Sequence, residues 1–372
     1  MAILEIVVAL LDRLDSEFLM SRRIILFGPL PPPYGGVAIF TSALFEFTKG
    51  RGAELWAAGE NLPRSPNVSP IDYRRLGLIP LLLKQGFKAR IVDSFYFLIE
   101  YPNPFMVPLW ALLKLVLRFE WVKVVHDGSL PSRYSGFGLV RKLLFRLSVS
   151  LVDEFVVVND SINEFLKNEI GVRQNVSTVN ALLPIPDSEL SAGLSSEIEP
   201  VLAQYDKRVV STGVFIPSYG FAHVAEVVER IRREAGINVG LILIDGAFAR
   251  DEDYRAEVLQ GRDWITVLEK IPHPQVLQIF RRSDVFVRGF KHEGYGLSRI
   301  EAIWCGIPVI AAMGEESRGM LLYDFGDLDA LVAHLREALF DSSANEVEQW
   351  AGVFQREAEE NLERWMKIMK LV

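Results

Sequence analysis

The feature that most restricts the fold of this chain is a regular alternation of short apolar runs with segments of helical periodicity, which begins at Arg22. Helices are predicted over Val37–Lys49 and residues 104–118. The apolar runs predict strands at Arg23–Phe27, Asp93–Leu98, Val122–Val125 and Phe155–Val158. A repeated strand-then-helix order predicts a parallel sheet that is covered by helices on both faces.

A second series of the same kind follows a polar segment. Residues 184–205 lose both hydrophobicity and periodicity and are rich in Pro, Ser and Glu, which is typical of a linker. The final segment, residues 345–370, places six large or apolar residues on one helical stripe. Strands of the second series are predicted at Arg208–Thr212, Val239–Ile244, Trp264–Leu268, Asp284–Val287 and Pro308–Ala311.

These two series predict an α/β protein made of two Rossmann-like, doubly wound parallel-sheet domains that face each other across a cleft. We assign residues 22–190 to the first domain, 191–205 to the linker, 206–344 to the second domain, and 345–372 to a C-terminal helix that packs back on the first domain. Residues 1–21 are an N-terminal extension, either an extra amphipathic helix or the product of an over-extended start. Ligands of such sheets bind at the carboxyl ends of the strands, so the site is expected in the cleft.

Composition excludes several classes of protein. A single cysteine among 372 residues excludes a disulfide scaffold and a cysteine-rich metal site, and a net charge of −8 argues against a nucleic-acid binder. No run reaches the roughly 18 apolar residues of a membrane span, and the acidic start does not resemble a signal peptide, so we expect a cytoplasmic protein. The charge is uneven: residues 22–190 hold 19 Lys and Arg against 15 Asp and Glu, whereas residues 191–372 hold 20 against 29.

The loop GPLPPPYGGV, residues 28–37, joins the first predicted strand to its helix. Gly35 and Gly36 lack side chains where the helix begins, so backbone N–H groups there can seat a phosphate or another anion. The alternative is a tight turn that needs positive φ. The loop lacks the G-x-G-x-x-G pattern of dinucleotide-binding proteins.

Two glutamates separated by seven residues form the strongest motif. Glu293 is predicted in a loop after a strand, and Glu301 lies about one turn into the following helix, which begins near Leu297. Such carboxylates can accept hydrogen bonds from hydroxyls at two points of one ligand, while the glycines between them hold an anion. A carboxylate, an anion-binding site and a second carboxylate match the hydroxyls, diphosphate and hydroxyls of a nucleotide sugar. The alternative is a solvated turn with a surface glutamate.

From Arg22 to its C-terminus the chain resembles a family 4 retaining glycosyltransferase with the GT-B fold. The matching segments are GPLPPPYGGV, VVHDGSL, VVVNDS, STVNALLPIP and EGYGLSRIEAIWCGIPVIA. The resemblance implies that Glu293 contacts hydroxyls of the donor sugar, that Glu301 holds the ribose, and that His126 approaches the sugar from the first domain. It places Gly35 and Gly36 against the diphosphate or the acceptor, and adds to the donor site Gly294, Tyr295, Gly296 and Leu297.

One stretch departs from the family pattern. Members usually carry G-R-x-x-x-x-K-G, whose Arg and Lys bind the diphosphate, but Gly213–Gly220 places Val214 and Tyr219 at those positions. A diphosphate in a partly dry cleft is costly without cations. Arg288 and Lys291 precede Glu293 and are the nearest replacements in sequence, and we expect Arg288 to take most of this charge. The alternative for Arg288 is a surface charge at a strand end.

The predicted activity is therefore that of a hexosyltransferase-type glycosyltransferase. A hexose-type sugar would pass from a nucleoside-diphosphate sugar to a glycan or lipid-linked acceptor with retained configuration. We expect no metal or other cofactor and no nucleic-acid partner. The acidic run Asp251–Asp253 has the form of a metal motif but is better explained as the start of a helix. Alternatives are a non-catalytic or degenerate GT-B subunit of a polysaccharide assembly complex and a GT-B sugar-nucleotide epimerase.

The segment Tyr73–Arg90 interleaves five cations with leucines and contains no acidic residue. It is either an ordinary amphipathic segment or a surface that rests on anionic lipid. The second interpretation predicts peripheral association with the inner face of the membrane and a lipid-linked acceptor.

Overall fold

The computed structural model describes residues 23–32, 34–58, 62, 66–71, 78–85, 88–95, 98–246, 250–291, 293, 295–314, 316–341 and 344–372. The predicted extension at residues 1–21 lies outside these ranges. Within them, two parallel sheets with flanking helices confirm the predicted α/β class.

The first sheet has seven strands in the order β3-β2-β1-β4-β5-β6-β7, all parallel. Its strands are β1 (Ile24–Pro29), β2 (Ala53–Ala58), β3 (Val68–Pro70), β4 (Arg90–Asp93), β5 (Glu120–Val125), β6 (Glu154–Val157) and β7 (Asn175–Thr178). Its helices are α1 (Gly36–Thr48), α2 (Leu78–Gln85), α3 (Met106–Leu117), α4 (Leu130–Ser135), α5 (Leu139–Leu151) and α6 (Asp160–Glu164), the last continued by a π-helical turn, Phe165–Ile170.

The second sheet has six strands in the order β10-β9-β8-β11-β12-β13, also all parallel. Its strands are β8 (Lys207–Gly213), β9 (Val239–Asp245), β10 (Ile265–Glu269), β11 (Val285–Arg288), β12 (Val309–Ala312) and β13 (Met320–Tyr323). The connection from the first sheet holds two short helices, α7 (Asp187–Leu190) and α8 (Glu199–Ala203). The remaining helices are α9 (Phe221–Ala235), α10 (Glu252–Leu259), α11 (His273–Arg281), α12 (Leu297–Trp304), α13 (Leu328–Phe340) and α14 (Ala344–Ile368).

The strand predicted at Asp93–Leu98 was misplaced, because β4 begins at Arg90 and ends at Asp93. Arg90 is only 4% exposed and donates to Glu120, to Glu154 and to the carbonyl of Ile368. A charged residue that is buried through ion pairs hides a strand from its hydrophobic pattern. It also removes Arg90 from the proposed lipid-facing cations of the segment Tyr73–Arg90, of which Arg74 and Arg75 lie outside the described residues.

Helix α14 joins the two halves. Near its start, Val347, Phe354 and Ala358 are buried in the core on one face of the second sheet. Trp365, in the last turn of the helix, and Met369, just after it, are fully buried in the core of the first sheet. Trp365 packs there against Phe40. Burying a tryptophan and a methionine stabilises such docking by several kcal/mol, on the order of 2–3 kcal/mol for each side chain.

Candidate functional site

A cleft of 210 Å³ lies between the two halves at the carboxyl ends of the strands. The first half contributes the loop after β1 and helix α1, and the second half contributes the start of α11 and of α12. Side chains that line it include Pro31, Tyr34, Phe40, Glu46, Glu189, His273, Leu297 and Glu301. Of the two predicted glutamates, Glu301 therefore faces this cleft directly, together with Leu297.

Glu301 is held by a histidine that the sequence patterns did not reveal. His273 Nε2 lies 3.0 Å from Glu301 Oε1, and His273 Nδ1 lies 2.7 Å from Glu189 Oε2. Burial lowers the pKa of His273, but the two carboxylates, Glu301 first, raise it by more, to about 10. The ring is thus an imidazolium that donates to both carboxylates. It fixes Glu301 and leaves Glu301 Oε2 to accept a ligand hydroxyl.

Glu293 lies in the loop after β11 and is paired with Arg288, the last residue of that strand. Arg288 Nε lies 2.7 Å from Glu293 Oε2, and Arg288 Nη1 donates to the carbonyl of Thr212 at 2.6 Å. The side chains of Arg288 and Glu293 are 12% and 9% exposed. Neither residue is the surface charge that the alternative interpretations required. The structure brings them together as one buried ion pair at the end of the second sheet.

The residues at the two missing cation positions are packed into the protein. Val214 is fully buried, and the ring of Tyr219 stacks on Phe290 with centroids 4.2 Å apart. The guanidinium of Arg288 lies 5.0 Å from the Tyr219 ring. Gly213 is needed beneath that ring, since a Cβ there would lie 2.2 Å from Tyr219 Cδ1. At the two positions where the family carries cations that bind the diphosphate, this chain therefore has a buried valine and a tyrosine. The tyrosine ring packs against Gly213, Phe290 and Arg288.

Helix α12 begins directly after Gly296, whose φ of +77° is the left-handed conformation that favours glycine. The first backbone N–H groups of a helix lack partners within the helix, so this end of α12 is electropositive. It lies next to the loop that holds Glu293. Tyr295 packs against both apolar cores, and its hydroxyl lies 3.3 Å from Glu357 of α14. Gly294, predicted as a donor-binding residue, lies outside the described residues.

Arg299, inside the glutamate motif but not singled out from the sequence, lies under this helix start. Its side chain is 0% exposed, and Nη2 donates to the carbonyl of Tyr295 at 3.0 Å. Among the residues that the structure describes, its Nε and Nη1 have no hydrogen-bond partner. Gly296 and Gly314 make room for it, since a Cβ on either would lie 2.2 Å from Nε and 3.2 Å from Nη1 respectively. Burial lowers the pKa of Arg299, although the charges of Glu293 and Glu316 oppose this, and the two unused donors remain available to an anion.

On the opposite side of the cleft, Gly35 and Gly36 start helix α1. Gly35 is extended, with φ −143° and ψ 160°, and Gly36 does not have positive φ, so the turn that needs positive φ is excluded. A Cβ on Gly36 would meet nothing within 4 Å. These glycines lie between Tyr34 and Ile39, which both line the cleft. The first turn of α1 therefore presents bare backbone at the edge of the cleft.

His126 follows the end of β5 and packs edge-on against Phe40, with ring centroids 4.9 Å apart. Burial, with Lys123 adding to it, lowers the pKa of His126 to about 3, so its ring is neutral near pH 7. In the described part of the chain its Nε2 has no hydrogen-bond partner. This nitrogen is buried, and His126 is not among the residues that line the cleft; its ring contacts Phe40, which does line it.

Lys291, by contrast, does not join this group. Its side chain is exposed, and Nζ lies 5.8 Å from the ring of Phe325, while its backbone N–H donates to the carbonyl of Ser218. The acidic run Asp251–Asp253 starts helix α10 as predicted, since Asp251 accepts from the N–H of Tyr254. Over the described ranges, no three His, Cys, Asp or Glu side chains cluster as metal ligands would.

One region of the chain matches a known protein family. Residues 197–347 match the profile of the family described as Glycosyl transferases group 1. A stretch of 175 residues is 30% identical to the O-antigen chain mannosyltransferase B of Escherichia coli. That stretch covers 43% of this chain and 45% of the relative, so the match spans less than half of the curated protein.

Two solved structures share the fold over almost the whole chain. The HepE protein of Anabaena, solved in complex with UDP and glucose, superposes with a TM-score of 0.70 at 15% identity, covering 95% of this chain and 100% of that one. The sucrose-phosphate synthase of Thermosynechococcus elongatus superposes with a TM-score of 0.66 at 17% identity, covering 94% and 96%. At these identities the likeness concerns the fold, and it confirms the GT-B architecture that the sequence predicts.

Proposed function

From a GT-B fold that carries a glycosyl transferases group 1 region over residues 197–347, we propose that this protein is a retaining glycosyltransferase. It moves a hexose-type sugar from a nucleoside-diphosphate sugar to a glycan or lipid-linked acceptor. The observation that carries the proposal is the pair Glu293 and Glu301. Both are buried at the cleft end of the second sheet, on either side of the start of α12, and each is held by a cation. The UDP and glucose named with HepE support a nucleotide-sugar donor.

In the proposed complex, Glu301 accepts hydrogen bonds from the ribose, and the imidazolium of His273 keeps its carboxylate oriented. Backbone next to His273, at Lys270–Pro272, faces the base. The diphosphate lies on the N–H groups that open α12, and Glu293 accepts from a hydroxyl of the sugar. His126, neutral at physiological pH, approaches that sugar from the first domain.

Transfer builds positive charge on the anomeric carbon and negative charge on the departing diphosphate. The carboxylate of Glu293 stabilises the first. For the second we propose Arg299, because it is a buried cation with two unused donors beneath the start of α12. Arg288 has a different task in this scheme, since it is already paired with Glu293 and positions that carboxylate. With these groups, we propose that transfer proceeds without a metal ion and that EDTA leaves the rate unchanged.

The carboxylates are tested by substitution. Glu301→Gln weakens the anchoring of the ribose, so we expect the affinity for UDP or GDP to fall about ten-fold or more, measured by calorimetric titration. Glu293→Gln should keep nucleotide affinity and lower kcat. Glu46→Gln is a matched control, since Glu46 lines the same cleft on α1 but, among the residues that the structure describes, pairs with exposed Lys49 alone. Unchanged nucleotide binding in Glu301→Gln would contradict the proposed donor site.

Arg299→Met gives a test with two opposite readouts. Replacing a buried cation that lacks full hydrogen bonding by an apolar side chain of similar length should keep or raise the melting temperature. The same change removes the charge behind the diphosphate, so the affinity for UDP or GDP should fall at least about ten-fold. A variant that loses stability and binds nucleotide normally would show that Arg299 is a structural residue.

A non-catalytic GT-B subunit of a polysaccharide assembly complex is the second candidate, because Val214 and Tyr219 pack into the protein where relatives carry diphosphate cations. A thermal-shift screen of nucleoside diphosphates separates the two, since a ligand that binds the folded state raises its melting temperature. No shift with any nucleotide would favour the subunit. An epimerase would convert the donor sugar when no acceptor is present.

A further inference from the structure

Helices α3 and α5, neighbours on the first domain, carry large apolar side chains that point to solvent. We call this surface the α3–α5 face. On the α3 side it consists of Phe105, Leu112, Leu115 and Val116, and on the α5 side of Leu139, Val140, Leu143 and Leu147. Phe105, Leu115 and Leu139 are 83%, 76% and 88% exposed.

These side chains are not needed to fold either helix. Helix α3 already buries Val107, Trp110, Leu113 and Leu117, and α5 buries Phe145 and Val149. The outward residues repeat at three- and four-residue spacing on the other side, as on an amphipathic helix with a second apolar stripe. Eight large exposed apolar side chains on two neighbouring helices differ from the single, scattered ones that are normal on a monomer. Such a patch marks an interaction surface.

The two segments that carry this face have charges of one sign, and the carboxylate that follows α5, Asp153, pairs with Lys114 of α3. Residues 103–119 and 128–152 contain no Asp or Glu, although the whole chain has a net charge of −8. They contain six cations, of which Arg118, Arg141 and Arg146 are exposed. The neighbouring helix α2 adds an exposed leucine, Leu83, and an exposed lysine, Lys84. Exposed leucines between cations, without acidic residues, fit a surface that lies in the interface of an anionic bilayer.

A second copy of the chain fits this face less well. A two-fold dimer through it would bring Arg118, Arg141 and Arg146 of both copies together, and the face has no carboxylate to neutralise them. Protein interfaces are also enriched in aromatic residues, whereas the α3–α5 face has one aromatic side chain, Phe105. We therefore propose that the α3–α5 face is the surface by which the first domain rests on an anionic lipid bilayer.

The α3–α5 face begins near the edge of the first sheet that borders the cleft. Phe105 and Leu139 stand at the first turns of α3 and α5, the ends nearest the carboxyl edge of the first sheet. The segment after β5 that carries His126 runs through α4 directly into Leu139. If the proposed function holds, docking through this face keeps the first domain beside an acceptor that is anchored in lipid. The docking itself does not depend on that activity. Over the described part of the chain, every helix is too short or too polar to span a bilayer.

Flotation with vesicles tests the proposal. The full-length protein should float with vesicles of phosphatidylcholine containing about 30 mol% phosphatidylglycerol and much less with pure phosphatidylcholine, less still as salt is raised. The triple variant Leu115→Ser, Leu139→Ser, Leu143→Ser should lose at least about ten-fold in partitioning, and Arg118→Gln with Arg141→Gln at least about five-fold. All five residues are exposed, so the fold should be retained, which the melting temperature checks.

The matched control is Met313→Ser with Phe340→Ser, which removes two exposed apolar side chains, 58% and 43% exposed, from the second domain. It should float like the wild type. Flotation that the triple variant leaves unchanged would overturn the proposal. So would a concentration-dependent dimer that the triple variant abolishes while vesicles bind nothing. Nucleotide binding by the protein in solution is measured separately, so a failure of the glycosyltransferase proposal would appear there and not in flotation.

Discussion

The bridge Glu189–His273–Glu301 makes the stability of the second domain depend on pH in a calculable way. The pKa of His273 rises from an ordinary 6.5 to about 10 in the folded state. Below pH 6.5 both the folded and the unfolded chain hold this proton, and the stabilisation is complete. As the pH rises from 6.5 toward 10, the unfolded chain releases the proton first, so the stabilisation is lost progressively.

The size of the effect follows from this window. One proton changes the free energy of unfolding by up to ~1.4 kcal/mol per pH unit. Between about pH 6.5 and pH 8.5 the contribution of His273 should therefore fall by about 2–3 kcal/mol. The hydrogen bonds of 2.7 and 3.0 Å to the two carboxylates are of the charge-assisted kind that supplies this much energy. For a domain of this size, the melting temperature should fall by several degrees, at ~2–4 °C per kcal/mol.

Thermal unfolding of the wild type and of His273→Gln at the two pH values measures this contribution directly. The glutamine variant should melt lower at pH 6.5, and the gap should shrink by several degrees at pH 8.5. His334→Gln controls for the loss of another imidazole in the same domain, since His334 Nε2 lies 3.1 Å from the carbonyl of Leu322 and Nδ1 lies 3.7 Å from one exposed carboxylate, Glu337. A gap between wild type and His273→Gln that is the same at both pH values would refute the reasoning.

Three further changes test other parts of the structure. Arg90→Met leaves Glu120 and Glu154 without their buried partner and should lower the free energy of unfolding by about 2–3 kcal/mol in urea denaturation, whereas Lys49→Met, at an exposed pair with Glu46, should cost below ~1 kcal/mol. Gly213→Ala forces the Tyr219 ring aside and should cost about 1–3 kcal/mol, with Gly193→Ala in open space as control. Burial raises the pKa of Glu100 to about 7, so the folded state holds a proton between about pH 4.5 and 7, and Glu100→Gln should remove up to ~1.4 kcal/mol per pH unit of the stability lost as pH rises through that window.

Each of these changes has a result that contradicts its premise. Equal costs for Arg90→Met and Lys49→Met would mean that the buried pair contributes no more than a surface pair. An unchanged free energy of unfolding in Gly213→Ala would mean that the Tyr219 ring can move aside at no cost. An identical pH slope in Glu100→Gln would mean that this carboxyl is charged when folded.

The sequence predicted the fold well where strands are buried on both faces. Continuous apolar runs of that kind stand out, as in β9, whose seven residues are all buried. Strands with weaker patterns were missed. β3 and β7 are short edge strands with polar residues, and β13 is a short edge strand with partly buried side chains. β2, AELWAA, lies inside the sheet but is made of residues that favour helices.

The site was predictable only as far as its residues are close in sequence. The spacing of Glu293 and Glu301 and the glycines between them are local, and the structure places both carboxylates at the end of the second sheet. His273 is 28 residues from Glu301 and 84 from Glu189, a separation that no short motif encodes. Arg299 could have been noticed, because it is a charge inside an otherwise apolar helix pattern, two residues before Glu301.

Helix α14 has a consequence for how the cleft can open. The chain crosses between the halves once after β7 and again at α14, whose two ends are buried in different cores. A body held at two crossings cannot separate from its neighbour by translation; what remains is rotation about the line that joins them. We therefore expect the cleft to open and close by a hinge rotation of one domain relative to the other. The last turn of the chain, with Trp365 and Met369 in the core of the first domain, is part of the hinge.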